Sequence, residues 1–183
     1  PKINFLSPTI HIALMVLVVF WIYTNNGNFP VIRTNLFSLA YITILAITFF
    51  LKLEAIQYNE LQAPIALFWV AVGLFVVARG SEISISENLM LILISALAAY
   101  LILNFPRPKF PFGASALYPG YLIILSVAMQ MINIDPSLVF SLLILSIIFY
   151  TENLINFLPE TYATPLIKLV MPAIPIGIAW LFS

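Results

Sequence analysis

The chain alternates long apolar runs with short polar connectors over its whole length. Within each run apolar residues occupy every helical face, which is typical of helices that contact lipid and other helices. Crossing about 30 Å of hydrocarbon takes roughly 20 helical residues, and the runs approach or reach that length. The pattern predicts an all-α, polytopic integral membrane bundle of about seven transmembrane helices with short connectors. The predicted spans are residues 8–23, 36–51, 63–78, 88–105, 114–132, 137–157 and 164–182.

Several predicted helix starts carry the residues that favour helix initiation. Ser7-Pro8, Asp135-Pro136 and Thr164-Pro165 each place a side-chain acceptor at the cap and proline at the first helical position. The acceptor satisfies a free amide, and proline has no amide to leave unpaired. Ser84 with Glu87 fits a capping box that opens the fourth helix.

Composition agrees with a bilayer environment and removes several classes of function. Of the 183 residues 63% are hydrophobic and 8% are charged, whereas a soluble domain carries about 25% charge. Seven basic residues balance seven acidic ones without a basic run, so no nucleic acid partner is expected. The chain has no cysteine and one histidine, His11, which leaves no thiolate, haem or polyhistidine metal site. No cofactor and no metal are expected.

The connectors are too short to hold a second domain, so residues 1–183 are predicted to form a single transmembrane domain. Lysine and arginine are more frequent in cytoplasmic loops, and this bias sets membrane orientation. With the N-terminus inside, the inner side carries Lys2, Lys52, Arg107, Lys109 and Lys168, and the outer side carries Arg33 and Arg79. The sequence therefore predicts a cytoplasmic N-terminus and an outside C-terminus.

Glu152 and Lys168 are the main candidates for functional charges within the predicted spans. They lie at similar depth on either side of the turn around Pro159, so an antiparallel helix pair would bring them together. An ion pair there offsets part of the cost of burying each charge. Two interpretations remain open. The pair is structural or reaches the headgroups, or Glu152 binds a proton or cation with Lys168 as its counter-charge.

Polar side chains align on three of the predicted helices. Ser141 and Glu152 are eleven residues apart, about three helical turns, and Tyr41 shares an arc with other polar residues of the second helix. Gln130 lies one turn after Ser126 on the fifth helix. These side chains would line a water-accessible path through the bundle. The alternative is that serine and threonine here mark close helix packing or bond to carbonyls of their own helix.

Prolines interrupt two predicted helices. The seventh contains Pro172, Pro175 and Gly177, and the fifth contains Pro119-Gly120. Each internal proline removes a backbone hydrogen bond, and lipid cannot satisfy the carbonyl that is freed. Transporters use such broken helices to hold solutes, whereas a simple kink is the structural alternative. Pro119-Gly120 also fits the true start of the fifth helix.

The connector from Asn104 to Gly113 combines alternating prolines with two cations and three phenylalanines. Such a segment cannot enter a helix, and cations beside aromatic rings suit a membrane interface. Arg107 and Lys109 are therefore candidates for headgroup binding, with plain topology determination as the alternative.

Three function classes follow from these features. The first is a small multi-pass transporter or channel for a small solute or ion, with a polar path near helices 2, 5, 6 and 7. The second is a non-catalytic subunit or scaffold of a larger membrane complex. The third is an intramembrane enzyme acting on lipid, which lacks an obvious nucleophile, metal site or acid–base pair. The expected partners are the lipid bilayer and either membrane subunits or further copies of the chain.

Overall fold

The structure is a computed structural model that describes residues 13, 16, 17, 20, 36–57, 61–80, 84–105, 109–110, 112–151, 167 and 169–181. In these ranges the chain is helical apart from short connectors, and they contain no β-strand. The predicted all-α class is confirmed for this part of the chain. In the predicted first span, four described positions are helical, and the remainder of 8–23 lies outside the described residues.

Six α-helices and three 3-10 turns make up the elements whose bounds are described. The helices are α1 Leu36–Gln57, α2 Gln62–Gly80, α3 Ser84–Asn104, α4 Ala114–Ile134, α5 Val139–Ser146 and α6 Ile174–Leu181. The 3-10 turns cover Pro136–Leu138, Ile147–Tyr150 and Met171–Ala173.

The helices extend further than the apolar runs that predicted them. α1 continues six residues past 51, and α3 begins four residues before 88. The apolar pattern stops at the first polar residues, but lysine and glutamate are good helix formers and the backbone continues through them. α3 starts at Ser84, with Glu87 in its first turn.

Asp135 ends one helix and begins the next element, as the Asp135-Pro136 pattern predicts. Its amide donates to the Met131 carbonyl at 2.9 Å, and its extended backbone stops α4. Its carboxylate accepts the Ser137 amide at 2.9 Å and the Ser137 hydroxyl at 2.7 Å. These two hydrogen bonds from Ser137 hold the pKa of Asp135 below its ordinary value. The predicted cap is confirmed at this position, whereas Ser7 and Thr164 lie outside the described residues.

Pro119 does not interrupt α4, which runs from Ala114 through the proline to Ile134. The proline is the sixth residue of the helix, so only one backbone bond, to the carbonyl of Ser115, is lost. The predicted span 114–132 is therefore one continuous helix, with neither a break nor a helix start at Pro119-Gly120. Gly120 instead lies where α4 packs closely, because a Cβ there would lie 3.5 Å from Leu67 and 3.9 Å from Leu93.

The last two predicted helices are described as shorter elements. After the Pro136–Leu138 turn, α5 changes to 3-10 geometry at Ile147–Tyr150, and residues 152–160 lie outside the described part. Near the C-terminal end, the Met171–Ala173 turn contains Pro172 and leads into α6. A 3-10 turn advances about 120° per residue rather than about 100°, so it rotates the side chains that follow.

Contacts divide the chain into two compact units, residues 1–51 and residues 52–183, and the boundary lies inside α1. The described part of the first unit consists of four helical positions and most of α1. The second unit contains the end of α1 and all of α2 to α6. The single-domain organisation predicted from the short connectors stays a prediction.

α2 is the central helix of the second unit. It packs against α3, α4, α5 and α6, and most of its side chains are buried. Small residues allow this close packing, most clearly at Gly73, where an added Cβ would overlap the Leu145 side chain of α5. The remaining small buried residues of α2 are Ala63, Ala66, Ala71 and Ala78.

Two of the described helices are long and apolar enough to cross a membrane, over Gln62–Gly80 and Glu87–Asn104. They differ in burial: 61% of the apolar window of α2 is buried inside the molecule, against 28% of that of α3. The core helix of a soluble protein passes the same test of length and composition. α3, unlike α2, also exposes large apolar side chains. Its exposed large side chains are Leu89, Leu91, Ile92, Ile102 and Leu103.

Candidate functional site

The structure describes the side chains of three of the seven predicted site residues. Ser141 on α5 is fully buried, Gln130 on α4 is exposed, and Lys109 in the connector is exposed. Tyr41 belongs to α1, but its side chain lies outside the described residues, as do Glu152, Lys168 and Arg107. Ser141 and Gln130 thus differ in burial, and the predicted polar path stays a prediction. The Glu152–Lys168 pair stays a prediction.

Most hydroxyls in the described helices bond to carbonyls of their own helix, which was the packing alternative. The bonds are Thr48 to Ile44, Ser95 to Leu91, Ser126 to Ile123, Ser146 to Leu143 and Thr151 to Ile148. A hydroxyl bonded in this way has used its one proton, so only its acceptor lone pairs remain for a solute. Thr48 and Ser126, which belong to two of the predicted polar stripes, are among them.

Ser141 differs from these hydroxyls. Its side chain is 0% exposed, and its Oγ is the one buried side-chain polar atom in the described part of the chain without a hydrogen-bond partner. Leaving a buried hydroxyl unpaired costs about 1–3 kcal/mol. Leu145 lies one turn further along the same face of α5 and contacts Gly73, so Ser141 faces the packed side of the helix.

The shared face of Ser141 and Glu152 assumes one uninterrupted α-helix. The four residues of the Ile147–Tyr150 turn add about 80° to the rotation between these positions. The angular relation that would place Ser141 and Glu152 on one face therefore changes within the described residues. The position of Glu152 itself stays untested.

The proline break before α6 has a partner that sequence reasoning missed. Trp69 on α2 donates its indole N–H to the carbonyl oxygen of Leu169 at 2.6 Å. Leu169 precedes the Met171–Ala173 turn, and in the i to i+3 pattern of 3-10 geometry its carbonyl would pair with the amide of residue 172, which proline lacks. The indole thus satisfies a backbone acceptor beside a disrupted helical ladder. The available signal was a tryptophan inside an apolar helix, because a buried indole N–H needs an acceptor.

Trp69 belongs to an apolar cluster at one end of the second unit. Its ring meets the Phe68 ring edge to face, with centroids 5.3 Å apart. The buried members of the cluster are Leu61, Ile65 and Leu101, and the partly buried members are Phe68, Trp69, Tyr100, Phe105 and Leu169. The cluster joins the start of α2, the end of α3 and the segment before the proline break.

The connector after α3 folds back on the helix end through Asn104, whose side chain is 1% exposed. Its Oδ1 accepts the amides of Lys109 and Phe110 at 2.9 Å and 2.7 Å, and its Nδ2 donates to the Tyr100 carbonyl at 2.9 Å. The Tyr100 hydroxyl donates to the Phe110 carbonyl at 2.6 Å. The Tyr100 and Phe112 rings meet edge to face at 5.0 Å. We call the described residues of this connector, 104, 105, 109, 110, 112 and 113, the Asn104 turn.

Sequence reasoning identified the cations of the connector after α3 but not the residues that hold its backbone. The available signal was an asparagine at the end of an apolar span, directly before a proline-rich connector. Such a side chain can accept and donate hydrogen bonds at a helix end where carbonyls lack partners.

Lys52 at the end of α1 also contacts an aromatic ring. Its Nζ lies 5.9 Å from the centroid of Tyr150, which ends the Ile147–Tyr150 turn. This distance is within the range of a cation–π interaction. Within the described ranges no three histidine or acidic side chains lie close enough to hold a metal ion.

Comparison with known proteins does not assign a function to these residues. No known protein family, curated protein or solved structure matches the chain. The function must therefore be argued from the described residues and their chemistry.

Proposed function

We propose that the chain is a multi-pass membrane protein that passes a small solute or ion along a path beside Ser141. The membrane part of the proposal is supported by the exposed apolar face of α3, since water would penalise a surface of this kind. α5 and α6 add exposed apolar side chains, including Phe140, Ile174 and Leu181.

Further spans beyond α2 and α3 are part of the proposal. α1 has 22 residues, and a helix of that length is about 33 Å long, enough for the hydrocarbon layer. The apolar runs at 8–23, 114–132, 137–157 and 164–182 would supply the others. With seven spans, the excess of lysine and arginine on one side gives a cytoplasmic N-terminus and an outside C-terminus.

The unpaired hydroxyl of Ser141 carries the transport proposal. In a membrane bundle a buried polar atom needs a partner, and the neighbouring helices of this segment are apolar and closely packed. A passing ion, water molecule or hydroxylated solute would supply that partner. The 3-10 turn containing Pro172 is close to α6, which packs on α5, so the path would run beside a segment with irregular backbone.

The test is flux through vesicles that contain the purified full chain. Glycerol uptake is followed by light scattering, and potassium and proton flux are followed with enclosed dyes. We expect Ser141→Ala to lower one of these fluxes about tenfold or more. The substitution removes the hydroxyl that would bind the passing ion or solute. Ser95→Ala is the matched control, since the Ser95 hydroxyl is exposed and bonded to its own helix.

Unchanged flux together with a higher melting temperature for Ser141→Ala would refute the role of Ser141. That result would make the hydroxyl a packing defect, because replacing an unpaired buried polar group with a methyl group is favourable. Absence of flux for every probe in the wild-type chain would count against transport as a whole.

A second candidate is a non-catalytic subunit of a larger membrane complex, and the Trp69–Leu169 hydrogen bond favours it. The carbonyl beside the proline break is satisfied by the protein, and Gly73 and Leu145 fill the space between α2 and α5. The exposed face of α3 would then pack on another subunit or on a second copy. Purification in mild detergent with mass analysis separates the candidates, because a stoichiometric partner would replace the transport proposal.

A further inference from the structure

The Asn104 turn holds two neighbouring side chains at the surface. The amides of Lys109 and Phe110 both donate to the Asn104 Oδ1, and the Phe110 carbonyl accepts the Tyr100 hydroxyl. The backbone at these two residues is thus fixed by three hydrogen bonds to the end of α3. Both side chains are exposed, and that of Phe110 is 58% exposed.

Phe112, another phenylalanine of the turn, has a different role from Phe110. Phe112 is 8% exposed and packs against the Tyr100 ring. The turn therefore buries one phenylalanine for its own stability and leaves Phe110 outside. An exposed large apolar side chain next to an exposed cation, both on a backbone fixed by hydrogen bonds, suits a surface that accepts both.

The turn begins where the apolar part of α3 stops. The span that is long enough to cross a membrane ends at Asn104, so the next residues fall at the headgroup level when α3 is embedded. The only charged residues between 104 and 113 are Arg107 and Lys109, both positive. Charge and position therefore suit an anionic headgroup rather than a neutral one.

We propose that the Asn104 turn is a binding site for the phosphate of an anionic phospholipid, in which Lys109 contacts the headgroup and Phe110 enters the acyl boundary. Asn104 and Tyr100 are positioning residues, since they hold the backbone and touch no lipid themselves. This inference rests on the membrane embedding of α3 and is independent of solute flux.

The fixed backbone explains why a single lysine would suffice for selectivity. A flexible loop loses conformational entropy when it binds, and a turn that is already ordered avoids that loss. A lysine near an anionic surface changes the binding constant about fivefold. We expect Lys109 to contribute this factor of about five in full, because the amides of the turn are already hydrogen-bonded and its backbone is ordered before lipid binds.

The experiment measures lipid preference on the purified full chain. The protein is equilibrated in micelles with equal amounts of phosphatidylglycerol and phosphatidylcholine, and retained lipids are counted by native mass spectrometry. We expect Lys109→Gln to reduce the preference for phosphatidylglycerol about fivefold. The matched control is Arg79→Gln, which removes an exposed cation at the end of α2, outside the turn. We expect it to retain the preference.

The positioning role is tested without changing any charge. Asn104→Ala keeps Lys109 but removes the acceptor of two amides, and we expect it to lose preference as Lys109→Gln does. Tyr100→Phe removes only the bond to the Phe110 carbonyl, so it gives a second test where Asn104→Ala does not fold. Both variants are first compared with the wild type by circular dichroism. Intact preference in a folded variant of each kind would overturn the role of Asn104 and Tyr100.

Two further results would overturn the binding site itself. An equal loss in Arg79→Gln and Lys109→Gln would show a general charge effect with no local site. Displacement of phosphatidylglycerol by excess inorganic phosphate would show a phosphate site that does not need a lipid, and Phe110→Ser would then have no effect. Neither result depends on whether vesicles with the protein conduct solutes, so failure here and failure of the transport proposal are distinguishable.

Discussion

Most polar side chains described in the apolar helices have their own hydrogen-bond partner, and the partner depends on local geometry. Thr48 and Ser95 bond to a carbonyl of their own helix, whereas Trp69 reaches the Leu169 carbonyl 100 residues away in sequence. Ser141 has no such partner. Leaving a buried polar group unpaired costs more free energy than a hydrogen bond contributes net. Substitutions that remove the partner of one of these groups should therefore be the most destabilising.

The link between Trp69 and the proline break is tested by a double-mutant cycle. Trp69→Phe keeps the apolar bulk and removes the N–H, so we expect a loss of about 1–3 kcal/mol in the free energy of unfolding. In the Pro172→Ala background the helix regains an amide and can repair its own ladder. There we expect Trp69→Phe to cost less than half as much, measured by denaturation in mixed micelles.

An equal cost of Trp69→Phe in both backgrounds would contradict this account. The indole would then stabilise the protein through its packing in the apolar cluster. The hydrogen bond to Leu169 would be incidental to the break.

Helix packing in the second unit depends on glycine at positions that look alike in sequence. Gly73 and Gly177 both lie in apolar helices, yet Gly73 meets Leu145 and nothing lies within 4 Å of a Cβ built at Gly177. The difference comes from the neighbouring helix. A glycine at a helix crossing allows close approach, whereas an exposed one only lowers helix propensity.

Alanine substitutions at these two glycines separate the effects. Gly73→Ala forces the buried Leu145 side chain to move, and we expect a destabilisation of about 1–3 kcal/mol. Gly177→Ala fills open space and improves helix propensity, so we expect no loss and a gain of up to about 1 kcal/mol. Thermal unfolding followed by circular dichroism measures both. Equal melting temperatures for the two variants would show that α2 and α5 are not in close contact at Gly73.

The amount that the sequence predicts depends on the kind of interaction. Apolar runs locate α1 to α4 within a few residues, because hydrophobicity and helix propensity act locally. Asp135 is also predicted, since a cap involves adjacent residues. The sequence does not predict the Ile147–Tyr150 turn or the hydrogen bonds of Trp69 and Asn104. Each of these depends on a carbonyl or a neighbouring helix that periodicity does not identify.

At the scale of the molecule, the solvent around the bundle is the central question. The second unit has a packed core around α2 and an apolar outer face on α3. Water and hydrocarbon give opposite expectations for that face, because in water it would be covered or would aggregate. Both the transport proposal and the lipid site therefore depend on the proposed embedding of α3 in a membrane.

Cysteine labelling in sealed vesicles tests this assignment directly, and the chain has no native cysteine to interfere. Ala96 is exposed near the middle of α3. Arg79 lies in the last turn of α2 and Lys109 lies beyond the end of α3, at opposite ends of the hairpin formed by these helices. Single cysteines are introduced at these three positions and treated with an impermeant maleimide. We expect Arg79→Cys and Lys109→Cys to label from opposite sides of the membrane and Ala96→Cys to label only after denaturation. Labelling of Ala96→Cys as fast as Lys109→Cys would contradict the membrane assignment.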